Sequence, residues 1–106
     1  MTQSDAQLVQ ETLTGSKEAF ALLVARYERS VHAAALCIVK KAHPADDVAQ
    51  EAFVRSWQQL PTLRNPEAFG PWLIKITRRC AIDSLRQQQP LKYSDRLDSL
   101  AIFKFK

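Results

Sequence analysis

Residues 65 to 86, NPEAFGPWLIKITRRCAIDSLR, combine a helix start, an apolar stripe and a crowd of cations, and the rest of the chain reads as what holds them in place. Asn65 is a capping residue type, Pro66 suits a first turn that needs no N–H donor, and Glu67 puts negative charge at the positive end of the helix dipole. A proline inside a helix removes a hydrogen bond and clashes with the preceding turn. Pro71 therefore predicts a short turn over 66–70 and a fresh helix from Pro71 onward. From there Trp72, Leu73, Ile76, Cys80 and Leu85 fall near helical spacing, with Phe69 one turn earlier. Lys75, Arg78, Arg79 and Arg86 project elsewhere. A cationic flank on a helix anchored by a tryptophan suits a polyanion.

The chain before this stretch is also helical in pattern. A first helix is expected from Ser4 or Asp5 to Thr14, with Ser4 as cap, Asp5 on the dipole and Leu8, Val9 and Leu13 as its apolar stripe, ended by Gly15. Ser16 caps a second and longest helix over 17 to about 41, where Phe20, Leu23, Val24, Tyr27, Val31, Ala34, Ala35 and Ile38 recur at intervals of three and four. Lys40 and Lys41 in its last turn complement the negative helix end. His43 and Pro44 break the pattern. A third helix follows from about Ala45 to Leu60, with Val48, Ala49, Ala52, Phe53, Trp57 and Leu60 on its apolar side and Asp46, Asp47, Gln50, Glu51, Arg55 and Gln58 on its polar side. Asp46 and Asp47 in the first turn suit the dipole, and Glu51 with Arg55 makes an (i, i+4) pair. Pro61 ends that helix, and 61–65 is a short loop. No stretch alternates as a strand does. The fold class is all-α, a compact bundle of about four helices over residues 1–88. Residues 89–106 read as a linker or weakly ordered tail, despite the apolar run LAIF at 100–103.

A chain of 106 residues suits one domain with a modest core. The net charge of +4 is unevenly spread: residues 1–63 carry six Lys/Arg against seven Asp/Glu, and residues 64–106 carry nine against four. A basic half beside a mildly acidic one points to two partners, one of them anionic. Cys37 and Cys80 lie in apolar helical patterns far from any CxxC spacing and read as reduced core thiols of a cytoplasmic protein. The opening MTQSDAQLVQ has no secretory pattern, and no apolar window is long enough to span a membrane. His32 and His43 fall in no metal spacing, and Gly15 and Gly70, the only glycines, build no phosphate loop. No catalytic residue, metal or cofactor is expected.

Two pieces in order rise above this background: DDVAQEAFVRSW and, after a Pro-containing loop, FGPWLIKITRRCAIDSLR. Together they resemble region 2 of bacterial sigma factors, most closely the extracytoplasmic-function group, with its acidic DDxxQExF helix and its WL..I....ID.LR helix. The opening SDAQLVQETLTGSKEAFALLVARYERSV is similar to that group's start, so the resemblance covers about residues 5 to 88. It implies a module that binds core RNA polymerase and recognises and melts the promoter minus-ten element. Asp46, Asp47, Gln50, Glu51, Arg55 and Gln58 would dock on the clamp helices of the largest polymerase subunit. Thr62, Leu63, Arg64 and Asn65 would lie near an unstacked base of the non-template strand. Lys75, Arg78, Arg79 and Arg86 would track that strand, where lysine and arginine bind phosphates. An anti-sigma factor is a further partner it implies.

Two departures qualify the match. Arg79 stands where the group commonly has asparagine, which favours a phosphate contact over base reading there. The second helical domain that normally follows, with its helix-turn-helix for the minus-thirty-five element, is not in this sequence. Two other readings compete: a helical protein-interaction domain that never touches DNA, and a small metal-dependent enzyme using the Asp46 and Glu51 carboxylates.

Overall fold

In the computed structural model, which describes residues 3–88, four helices follow one another: α1 (Asp5–Leu13), α2 (Lys17–Val39), α3 (Ala42–Gln59) and α4 (Phe69–Gln88). Two 3-10 turns, Leu60–Thr62 and Pro66–Ala68, form the connection from α3 to α4. No strand occurs among the described residues. The all-α expectation holds. The tail expected over 89–106 lies outside the described residues.

Local chemistry sets each helix boundary. Ser4 accepts from the Gln7 N–H while the Gln7 side chain accepts from the Ser4 N–H, a reciprocal pair that satisfies two otherwise orphan donors at the start of α1. Gly15, at φ +112, turns the chain where an L side chain would be strained, and Ser16 caps α2 by accepting from the Ala19 N–H. The end of α2 corrects the sequence reading. The helix stops at Val39, and Lys40 takes a left-handed conformation at φ 62 with its N–H donated to the Leu36 carbonyl at 2.8 Å. Lys40 and Lys41 are thus not in the last turn of α2. One is its left-handed cap, and the other is the residue from which α3 begins.

Both prolines read as breaks lie inside helices. Pro44 is the third residue of α3 and Pro71 the third of α4. The first N–H groups of a helix have no carbonyl behind them, so a proline there removes no bond and meets no preceding turn. Hence α3 starts at Ala42 rather than Ala45, and α4 at Phe69 rather than Pro71. Asp46 and Asp47 consequently sit beyond the first turn, which holds no acidic residue, so the dipole does not account for them.

The core runs through all four helices: Leu8 and Val9 of α1, Leu23, Val31 and Ala35 of α2, Ala45 and Ala52 of α3, and Phe69, Leu73 and Ala81 of α4 are fully buried. Each large member contributes about 1.5–3 kcal/mol by leaving water. Its few hydroxyls are satisfied within their own helices: Thr12 donates to the Leu8 carbonyl, Ser56 to Phe53 and Thr77 to Leu73. Three residues read as core are not. Leu13, Cys37 and Trp57 are exposed, each at the margin of its helix's apolar arc, and Trp57 keeps one edge on Phe20 at 5.0 Å between ring centres. Cys80 is buried as expected, and burial pushes its thiol up from the usual range, away from the reactive thiolate.

Candidate nucleic-acid and partner interfaces

On α4 the buried residues Phe69, Leu73, Thr77, Cys80 and Ala81 face the bundle, and Lys75, Arg78, Arg79 and Arg86 all face solvent. At 100° per residue these four cations share an arc of about 100° opposite the buried one. None of them is in an ion pair with another described residue. The contrast is with Arg26 and Arg55, whose guanidinium groups are committed: Arg26 to Asp5 at 2.6 Å, and Arg55 to Glu51 at 2.7 Å and Asp83 at 3.6 Å. A line of unneutralised cations raises the positive potential along one edge of the bundle.

Beside this ridge, α3 and α4 leave a cleft of about 320 Å³ lined by Arg55, Gln59, Trp72, Lys75, Ile76 and Arg79. It offers an aromatic wall, an amide with both donor and acceptor, and cations at the rim. A flat apolar ring with hydrogen-bonding groups beside it suits an unpaired base. The structure brings Lys75 and Arg79 to this cleft, whereas Arg78 borders the α2 side with Tyr27 and Ser30. Arg64 is exposed on the connection before α4, where Asn65 caps the second 3-10 turn by accepting from the Glu67 N–H at 3.1 Å. Thr62 donates to the Gln59 carbonyl, and Leu63 is half-buried on the core.

The acidic residues of α3 divide. Asp46, Asp47 and Gln50 line a groove of about 830 Å³ between α2 and α3, with Glu28, Arg29, His32 and Leu36 on its α2 side and Val24, Ala49 and Phe53 among its apolar members. His32 Nε2 donates to Asp46 at 2.8 Å, and His43 Nδ1 lies 3.8 Å from Asp47. Glu51 and Arg55 are turned away from this groove: Arg55 reaches α4 and lines the cleft there. Of the six residues grouped together by sequence, Asp46, Asp47 and Gln50 line the groove, Glu51 and Arg55 pair with each other, and Gln58 is exposed. Asp83 of α4 meets Arg55 of α3 across the two helices at 3.6 Å.

Gln59 as a cleft residue, and His32 and Leu36 as groove residues, were not singled out from sequence. Trp72 reads as core because it shares helical spacing with Leu73 and Ile76. The α2 residues were readable in principle, since Arg29, His32 and Leu36 repeat at intervals of three and four outside the buried stripe. Among the described residues no group of three or more His, Cys, Asp or Glu could hold a metal ion. No described helix is long and apolar enough to cross a membrane.

At the junction of α1, α2 and α4, the Tyr27 hydroxyl donates to Asp5, beside Arg26. Desolvation first, and then the hydrogen bond to Asp5, push its pKa up to about 12. It stays a protonated donor at any ordinary pH.

Comparison with known proteins agrees with this architecture. The chain is 40% identical over 88 residues to a probable RNA polymerase sigma factor, RfaY, of Xanthomonas campestris pv. campestris, covering 83% of this chain and 22% of the relative. It is 37% identical over 83 residues to the RNA polymerase sigma-H factor of Pseudomonas aeruginosa, covering 78% and 43% respectively. With the ECF RNA polymerase sigma-E factor of Escherichia coli K12 the figures are 32% over 100 residues, 92% and 50%. The chain thus spans half or less of the length of these relatives. The family model for sigma-70 region 2 matches residues 23–90, which takes in most of α2 and all of α3 and α4, and with them both the groove and the cationic ridge. This chain belongs to the sigma-70 region 2 family and is a region 2 domain of the extracytoplasmic-function type.

Proposed function

We propose that this domain binds core RNA polymerase through the exposed Asp46, Asp47 and Gln50 edge of the α2–α3 groove, and holds the opened non-template strand of the promoter minus-ten element along α4. The observation that carries the reading is the row of unpaired cations, Lys75, Arg78, Arg79 and Arg86, beside a tryptophan-walled cleft. Phosphates bind such a row without sequence preference, and the cleft gives one base a place outside the stack. Thr62, Leu63, Arg64 and Asn65 are the neighbouring groups that would meet that base. No bond is made or broken. Binding energy to the unpaired strand offsets the cost of opening the duplex, and docking on the polymerase clamp helices brings the module to the promoter. An anti-sigma factor is a restraining partner in the same reading.

Arg79 serves as a phosphate contact at the rim, because a guanidinium reaches phosphate oxygens in a forked, bidentate way. Arg55 belongs with the strand side in this reading, since it lines the cleft with Arg79 and Trp72. Fluorescence titration of a labelled non-template minus-ten strand, with and without core polymerase, tests the assignment. Strand binding in the holoenzyme is the expected result. Polymerase binding with no strand binding in either form favours the protein-interaction domain.

A further inference from the structure

The short helix α1 contributes to neither face, yet it packs on the α3–α4 connection and on α4 as well as on α2. Its first residue, Asp5, receives the Arg26 guanidinium at 2.6 Å and the Tyr27 hydroxyl, while Arg26 also donates to the Gln3 carbonyl at 2.7 Å. Two adjacent residues of α2 thereby grip the start of α1, and the grip fixes where the Tyr27 ring lies. That ring lies against Gly70. A Cβ at position 70 would stand 2.7 Å from the Tyr27 hydroxyl oxygen, closer than Cβ atoms come to other atoms, and 3.1 Å from two ring carbons, tighter than most such contacts. Glycine is required there by the ring, and the ring cannot swing aside without giving up its bond to Asp5. From Tyr27 the contact continues edge-on to the fully buried Phe69 at 5.6 Å, and from Phe69 to Trp72 at 5.9 Å. Trp72 is the wall of the cleft between α3 and α4.

We propose that Tyr27 and Gly70 are positioning residues for this cleft: the hydroxyl held by Asp5 sets the Tyr27 ring, the ring seats Phe69, and Phe69 sets the pose in which Trp72 meets an unstacked base. The proposal rests on the reading of the cleft as a base site. Densely packed interiors pass a displacement on to the next ring instead of absorbing it in a void. The polar grip at Asp5 is what keeps the first ring from drifting.

The test compares two labelled probes, a short random-sequence DNA single strand and an abasic strand of the same length, titrated with the full chain. Stacking on an aromatic wall contributes about tenfold per base, so the unaltered protein prefers the intact strand by about that factor. Tyr27→Phe, which keeps the ring and loses the hydroxyl, lowers the preference about threefold of that tenfold stacking gain. Gly70→Ala abolishes it, and Tyr27→Phe in the Gly70→Ala background restores part, because the hydroxyl oxygen is the nearest obstacle. Affinity for the abasic strand stays constant throughout, which a general loss of structure would not produce. An unaltered preference in Tyr27→Phe and Gly70→Ala, with the parent protein discriminating normally, overturns the positioning role. A parent protein that binds both probes equally overturns the base-site reading itself. Should Gly70→Ala lose its helical circular dichroism, Tyr27→Phe decides alone.

Discussion

The two sides of α3 carry similar residue types and use them differently. Toward α2, Asp46 and Asp47 meet only histidine side chains and remain 70% and 73% exposed, offered to solvent and to whatever docks there. Toward α4, Glu51 and Arg55 are spent on each other and on Asp83, tying two helices together, and the unneutralised charge lies instead on α4. Exposed ion pairs add little to stability, so the pairing itself is no measure of importance. What it reveals is which charges the fold leaves available. On one side these are carboxylates over an apolar groove, on the other cations beside an aromatic wall.

The strongest attempt to break this contrast is removal of the ridge. Lys75→Ala, Arg78→Ala and Arg79→Ala together lower the slope of log affinity against log salt for a single strand by about 2, at about 0.7 per phosphate contact. Polymerase binding is unchanged, because the groove is untouched. An unchanged salt slope would remove α4 as the strand-tracking element. The mirror experiment replaces Asp47 and Gln50 by alanine. A polymerase pull-down or titration weakens about tenfold, in line with two exposed polar contacts of up to about 1 kcal/mol each, while helical circular dichroism and strand affinity persist. Loss of strand affinity in this variant would show that the two sides are one surface.

Arg55 sharpens the border between them. Its place in the cleft predicts that Arg55→Ala weakens single-strand binding by a few-fold and leaves polymerase binding alone, measured on the same two probes. The reverse result would return it to the group in which the sequence pattern places it. Its guanidinium is also a tie between α3 and α4, so the thermal midpoint should fall slightly, since exposed pairs contribute about a fraction of a kcal/mol to stability.

Much of the bundle was legible because apolar residues repeat at helical spacing, and the caps at Ser4 and Ser16 and the turn at Gly15 announce themselves locally. The starts of α3 and α4 were not, because a proline is ambiguous: the same missing N–H that breaks an interior turn is free of cost within the first one. Lys40 was illegible for a related reason, since nothing in a lysine signals a left-handed cap that glycine usually supplies. For the sites, the cations of α4 and the carboxylates of α3 could be found by type and spacing. Their division into two sides could not, because it depends on which arc of α3 meets α4. The Asp5 and Tyr27 contact joins residues 22 apart, and no pattern in the sequence pairs them.

Tyr27 supplies the smallest effect, one on stability as a function of pH. Its pKa, about 12 in the folded chain against 10.0 unperturbed, means that the fold favours the neutral hydroxyl. The stability this contributes is therefore fully present below pH 10 and is lost as pH rises toward 12. The informative quantity is the difference in thermal midpoint between the parent protein and Tyr27→Phe, in which everything the two share cancels. That difference should shrink from pH 10 to pH 12, because the phenylalanine variant has no hydroxyl to ionise beside Asp5. A difference that grows across the same range would mean that the phenolate is the better partner there. Arg26, whose charge pulls in that direction, would then outweigh burial and the bond to Asp5, and the grip on α1 would have to be assigned to Arg26 alone.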